Sequence, residues 1–200
     1  MPTSKKPKPN KLFIALGFTL FLFGGALLLK LSWEPIKLET RYAISRKSDT
    51  PRPTLVPLNT DFSLVIEKIG AIAPIVQDVS PTNSGEYQRA LTRGVAHAKG
   101  TGLPGQGTNV FLFAHSSANP LDASRFNSVF YLVHHLEPGD EIQVWYQGQE
   151  YVYAVTEKKI VDPSNIQYLT TTGSTETLTL MTCWPPGTTL KRLVVVAKPL

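Results

Sequence analysis

The chain predicts a mainly β domain, a closed or nearly closed barrel with two short helices, behind an apolar N-terminal helix. Three observations predict it. Short apolar runs broken by glycine, proline and polar turns recur from residue 62 to residue 197, the spacing of a many-stranded single domain. Only two stretches of that region have helical periodicity. Leu12 to Leu29 is a run of 18 residues without a charge, within the about 17–25 residues that cross a bilayer. A β-sandwich is the alternative packing of the same strands.

The elements follow in order. Phe62 to Ile66 and Ala71 to Val76 are apolar runs split by the turn Lys68-Ile69-Gly70. Ser84 to Leu91 places Tyr87, Ala90 and Leu91 at helical spacing. Gly94 to Ala98 is a small strand, followed by a loop carrying Gly100, Gly102, Pro104, Gly105 and Gly107. Asn109 to Ala114 is a core strand. Asp122 to Tyr131 predicts a second helix, with Asp122 as N-cap and Phe126, Val129 and Phe130 on one face. Glu141–Tyr146 and Tyr151–Val155 flank Gly148 as a hairpin whose second arm continues through Ile160-Val161. Thr177–Thr182 and Leu193–Ala197 complete the domain.

The charge balance excludes one function class. Of 20 Lys/Arg and 15 Asp/Glu, five lysines and no acid lie in residues 1–30, which leaves 15 of each sign beyond them. The excess of +5 therefore belongs to a short tail and gives no support for a nucleic-acid partner. Lys5, Lys6, Lys8 and Lys11 precede the apolar run, and the positive-inside rule then keeps the N-terminus cytoplasmic. The expected organisation is a basic cytoplasmic tail over 1–11, a membrane span over 12–30, an extracytoplasmic linker over 31–60 and a folded domain over 61–200. Trp33 fits an anchor at the outer interface. The run exceeds the about 7–15 apolar residues of a cleaved signal peptide, so an uncleaved anchor is preferred, although Gly24-Gly25-Ala26 resembles a cleavage site. Pro35, Pro51, Pro53 and Pro57 read the linker as a tether.

That location sharpens the chain's lone cysteine, Cys183. Extracytoplasmic domains commonly use disulfides, which one cysteine cannot form within its own chain. Cys183 ends a strand and is followed by Trp184-Pro185-Pro186, and Arg192 opens the next strand. A thiolate attacks carbonyl carbon, an imidazole shares its proton, and a guanidinium stabilises the resulting oxyanion. Cysteine, histidine and arginine are therefore a sufficient set for acyl transfer through a thioester. Two histidines compete for the role: His115 and His97 each end an apolar run, and chemistry alone does not choose between them. His134-His135 sits in a polar segment and reads as surface. No metal site is expected, because one cysteine and scattered histidines lack ligand spacing, and no cofactor is implied.

The run Thr177-Leu178-Thr179-Leu180-Met181-Thr182-Cys183 resembles the TLxTC strand of sortases, the membrane-anchored cysteine transpeptidases of bacterial surfaces. Ile66 to Ile75, Gly94-Val95-Ala96-His97 with Gly100-Thr101 and Pro104-Gly105, Asn109 to His115, and Arg192 with Leu193-Val194-Val195 follow in the family's order. The resemblance covers residues 62–197. It implies the eight-stranded sortase barrel, with Cys183 as nucleophile, His115 rather than His97 as acid/base, and Arg192 as oxyanion group. It leaves His97 in a supporting place. Ala114 and Thr182 are candidate substrate contacts beside His115 and Cys183, and Tyr168 and Leu169 are candidate apolar contacts in the loop between Val161 and Thr177. The implied partners are proteins bearing an LPxTG-like sorting signal and an amine acceptor on a peptidoglycan precursor or a pilin lysine.

The chain departs from the family pattern in three respects, of which the last two bear on class. Ala114 stands where the family has glycine before its histidine. The short Cys183–Arg192 interval, stiffened by Trp184-Pro185-Pro186-Gly187, argues against a calcium-dependent class A enzyme. Residues 31–60 hold no Asp-Pro-aromatic lid, and no second membrane segment is expected after Ala197, so a class D- or E-like enzyme is preferred to class C. The alternatives outside the family are another cysteine acyl-transferase of the L,D-transpeptidase kind, or a silent anchored barrel that only binds.

Overall fold

The computed structural model describes residues 11–47, 54–117, 126, 128–165, 167–168 and 175–200. After helix α1 (Lys11–Lys47), strand β1 (Phe62–Ile66) is buried at every position. A 3-10 turn over Glu67–Ile69 ends at Gly70, whose φ of 66° is left-handed, a conformation that glycine adopts without a Cβ clash. Strand β2 (Ala71–Val79) then returns antiparallel to β1. Helix α2 (Ser84–Leu91) starts at Asn83, whose side chain accepts the Glu86 N–H at 3.2 Å. It carries the chain over to β3 (Val95–Ala98), which therefore runs parallel to β2. Gly94 allows the close approach of these strands, since a Cβ there would collide with the Pro74 carbonyl.

Strand β4 (Asn109–Phe113) pairs antiparallel with β3. The chain then leaves to form the hairpin β5 (Glu141–Tyr146) and β6 (Gln149–Val161), and returns as β7 (Thr177–Trp184) and β8 (Lys191–Pro199). The order β1-β2-β3-β4-β7-β8-β6-β5 closes on itself through β1 and β5, so the eight strands form a barrel rather than a sandwich. Leu64, Ile66, Phe111, Ile142, Leu178 and Leu180 fill it, each fully buried. Burying one such aliphatic side chain stabilises the fold by about 1.5–3 kcal/mol.

β4 and β7 run parallel, with Asn109 opposite Thr177 and Phe113 opposite Met181. Their start is fixed by a buried polar knot. The Asn109 carboxamide oxygen accepts from the Thr177 hydroxyl at 3.0 Å and the Thr179 hydroxyl at 2.8 Å, and its nitrogen donates to the Tyr168 carbonyl at 3.0 Å. Glu176, one residue before β7, accepts the Gly105 and Gly107 N–H groups at 3.1 and 2.9 Å and the Tyr153 hydroxyl at 2.6 Å. It holds the glycine loop against the barrel. Burial, with Glu176 beside it, raises the Tyr153 phenol above its ordinary range.

The structure departs from the sequence reading in three places. β2, β6, β7 and β8 each extend beyond their expected ends, because cross-strand pairing continues through polar residues. Half of the helix expected over 122–131 lies outside the described residues. Residues 126 and 128–130 are turn, and a 3-10 helix begins at Tyr131 and runs to His135. α1 continues through Pro35 to Lys47, so residues 31–47 are helical rather than an extended tether. Tertiary contact overrides the proline: Tyr42 is buried and stacks on His135, ring centroids 4.1 Å apart. Residues 11–30 of this helix, mean hydropathy 2.4, are long and apolar enough to cross a membrane.

Asn109→Leu should cost about 1–3 kcal/mol in urea unfolding, because it strands the buried Thr179 hydroxyl. Adding Thr179→Val should recover part of that loss; full additivity of the two substitutions would contradict the knot.

Candidate active site

Parallel pairing sends the ends of β4 and β7 to the same rim of the barrel. His115 follows β4 by two residues, and Cys183 is the penultimate residue of β7. β8 starts at that rim and runs back antiparallel, which places Arg192 directly across from Cys183 in the strand register. His115, Cys183 and Arg192 line one open cleft of about 250 Å³. Pro81, Tyr87, Leu91, Phe113 and Met181 form its apolar wall, and Gln88 and Thr189 add polar groups. α2 supplies Tyr87, whose ring packs edge-on against Phe113 with centroids 6.3 Å apart.

Hydrogen bonds lock the two strand ends together. The buried Thr182 hydroxyl donates to the Ala114 carbonyl at 2.8 Å, and the Ala114 N–H donates to the Met181 carbonyl at 3.3 Å. The buried Ser116 hydroxyl donates to the Cys183 carbonyl at 2.8 Å, and the Ser116 carbonyl accepts the Gly187 N–H at 3.2 Å. The residues on both sides of His115 are thus tied to the strand that carries Cys183. The thiol is half-buried and free of any disulfide. The Arg192 guanidinium donates to the Thr189 and Lys191 carbonyls at 3.3 and 3.2 Å. Among the described residues it forms no ion pair, so its charge is not spent on a carboxylate.

The structure separates the two histidines. His97 is fully buried on β3 and does not line the cleft. Its Nδ1 accepts the Asp78 N–H at 3.3 Å, and its Nε2–H therefore donates to the Gly102 carbonyl at 2.9 Å. It braces the irregular end of β2, where Asp78 has a φ of 56°, against the glycine loop. Burial pushes its pKa down, outweighing the Gly102 bond and the Asp78 charge that push it up.

The cleft also gathers Ala114 and Thr182, both committed to the strand lock. Tyr168 lies beside Asn109 at the opposite end of β4, away from the cleft. Leu169 is outside the described residues. Sequence reasoning missed Ser116, Thr189, Tyr87 and Gln88. Ser116 had a signal, its position directly after His115; the α2 pair had none, since only the fold brings α2 to the rim. His134-His135, read as surface, is half-buried against α1, and with Glu39 it is the one group of three metal-ligating side chains among the described residues.

The closed barrel presents a cysteine, a histidine and an arginine from three neighbouring strand ends at one cleft. The Sortase domain family model matches residues 64–200, and the chain belongs to the sortase family, a family of cysteine transpeptidases. Sortase D of Bacillus subtilis (strain 168) is 28% identical over 138 residues, 68% of this chain and 61% of that protein. The chain thus spans less than two thirds of that relative's length. Among solved structures, a pilus-related sortase C of Group B Streptococcus superposes with a TM-score of 0.59 at 27% identity, covering 70% of this chain and 66% of that one. Sortase E1 of Streptomyces coelicolor, with a tripeptide in its active site, superposes with a TM-score of 0.58 at 27% identity, covering 70% and 87%. Family membership displaces the L,D-transpeptidase alternative.

Two predictions follow from the geometry. Thr182→Val removes the hydroxyl but keeps the shape, leaving the Ala114 carbonyl without its partner. Alkylation of Cys183 by iodoacetamide should persist while turnover of any cleaved peptide falls by roughly tenfold or more, as expected of a misplaced catalytic group. Unchanged turnover would show that the strand lock does not position the site. For His97, a folded pKa below 6.5 means that the unfolded chain binds the proton more readily. Its contribution is complete above that pH and is lost as pH falls through the lowered folded value. Thermal stability should therefore fall as pH drops below about 6.5, and His97→Asn should flatten that part of the profile.

Proposed function

We propose that this chain is a membrane-anchored transpeptidase that cleaves an LPxTG-like sorting signal through a Cys183 thioester and transfers the acyl part to an amine. The observation that carries this reading is the common cleft of Cys183, His115 and Arg192. The thiolate of Cys183 attacks the scissile carbonyl carbon, and Arg192 donates to the developing oxyanion. His115 gives its proton to the leaving amine as the C–N bond breaks. A thioester remains. The acceptor amine then attacks it, His115 takes the amine's proton, and the thiolate departs. Phe113, Met181, Tyr87 and Leu91 supply an apolar wall suited to the non-polar residues of an extended peptide.

The apolar part of α1 spans the bilayer over residues 12–30, with the basic tail 1–11 in the cytoplasm and the domain 61–200 outside. Trp33 sits at the outer interface. The helix continues 17 residues beyond Lys30, about 25 Å of stalk. The linker 31–60 is thus stiff in its first part. Substrates are surface proteins bearing a sorting signal, and the acceptor is an amine of a peptidoglycan precursor or a pilin lysine. The similarity to Sortase D supports a class D-like enzyme, and the short turn between Cys183 and Arg192 argues against a calcium-dependent class A enzyme.

The full chain in detergent, incubated with a library of sorting-signal peptides and an amine acceptor, should form a peptidyl adduct on Cys183 and a ligated product. Cys183→Ala should abolish both. Arg192→Ala should lower ligation by about 10²–10³-fold while leaving the thiol alkylatable. A wild-type chain that forms no adduct with any motif would contradict the assignment and favour a silent binding barrel.

A further inference from the structure

His134 and His135 are adjacent on the 3-10 helix Tyr131–His135, and Glu39 comes to them from α1, 95 residues earlier than His134. Glu39 Oε2 lies 2.9 Å from His135 Nε2, and Glu39 Oε1 lies 3.5 Å from His134 Nε2. The three potential ligand atoms are all within 4.8 Å of one another. The side chains retain only 20–40% of their exposure.

The His134 tautomer makes this cluster unusual. Its Nδ1 is 2.9 Å from the Tyr131 carbonyl, which can only accept. Nδ1 therefore carries the proton of the neutral ring, and Nε2 turns a lone pair towards a carboxylate oxygen that also has only lone pairs. A cation between them resolves this conflict. Lys158 does not supply the cation, because its Nζ is engaged by the His134 carbonyl at 2.8 Å and Glu137 at 2.7 Å. The surroundings suit a metal. A carbonyl on the far ring nitrogen orients a ligating histidine, and Tyr42 stacks on His135 with an interplanar angle of 20°.

We propose that Glu39, His134 and His135 form a binding site for a divalent transition metal, with Zn²⁺ the best-fitting ion, that staples α1 to the barrel. Two imidazoles and one carboxylate leave a fourth position for water. Zn–ligand bonds near 2.0–2.1 Å require ligand atoms about 3.4 Å apart, so the site closes slightly on binding. At His135 the proton now on Nε2 moves to Nδ1, freeing Nε2 to bind. The staple also reaches the cleft: His134 packs on Trp184, centroids 5.4 Å apart, and Trp184 follows Cys183. The proposal is independent of the transpeptidase reading, since its ligands lie outside that cleft and its test needs no turnover.

The test uses the full untagged chain in detergent carrying Cys183→Ala, so that no thiol competes for metal. Titration with Co²⁺ should give ligand-field absorption that saturates at one equivalent and is displaced by Zn²⁺. His134→Ala, His135→Ala and Glu39→Gln should each weaken Co²⁺ binding by at least about tenfold, whereas Glu137→Gln should not. Zn²⁺ should slow amide exchange over residues 33–47 in the parent and not in Glu39→Gln, a change that keeps the shape of the side chain. Absence of a saturable Co²⁺ signal, or binding indifferent to all three ligand substitutions, would overturn the site. Binding without added protection of residues 33–47 would overturn the staple.

Discussion

The parallel pairing of β4 with β7 is the constraint on which the rest of this molecule depends. Antiparallel strands joined by a hairpin would bring one strand's end beside the other's start. Parallel strands bring like ends together, and so His115 and Cys183 leave the sheet at one rim. β8, antiparallel to β7, adds Arg192 at the same rim without a long loop. Cys183 and Arg192 flank one turn, whereas His115 comes from a distant part of the chain, and the barrel's strand order makes it their neighbour.

Polar side chains enforce that pairing at both ends. Asn109 fixes the start through Thr177 and Thr179, and Thr182 and Ser116 fix the finish through the Ala114 and Cys183 carbonyls. Each net hydrogen bond is worth only about 1 kcal/mol. Their larger effect is on register, because a slip of one residue would strand several buried hydroxyls and turn the apolar faces outward. His97 does similar work on the neighbouring β2–β3 pair, where buried imidazole nitrogens satisfy a backbone N–H and a carbonyl. This explains how a histidine in a sequence position suited to catalysis serves the scaffold instead.

Much of this was readable before any coordinates. The alternation and length of the apolar runs located every strand, and Cys183 and Arg192 flanking one turn implied their proximity. Choosing His115 over His97 needed the resemblance to a known family, because both histidines end apolar runs. The strand register separates them, since of β3 and β4 only β4 pairs with β7. Where sequence reasoning fell short, the deciding partner was remote. Proline and scattered charge in residues 31–47 suggested a tether, but Tyr42 and Glu39 dock on His134 and His135 and the helix persists. The same remoteness hid the Glu39 cluster, whose ligands have no local spacing. Tyr168 looked like a cleft residue by loop position, yet its carbonyl serves Asn109 at the far end of β4.

The central claim is that the barrel places the His115 and Cys183 side chains within bridging distance. Because Cys183 is the chain's single cysteine, His115→Cys creates a two-thiol protein that reports on this directly. Dibromobimane becomes fluorescent only after it bridges two nearby thiols. The account predicts rapid, quantitative bridging within the monomer of the folded variant, and none in His97→Cys. Two thiols that each react with iodoacetamide but are not bridged in His115→Cys would contradict it.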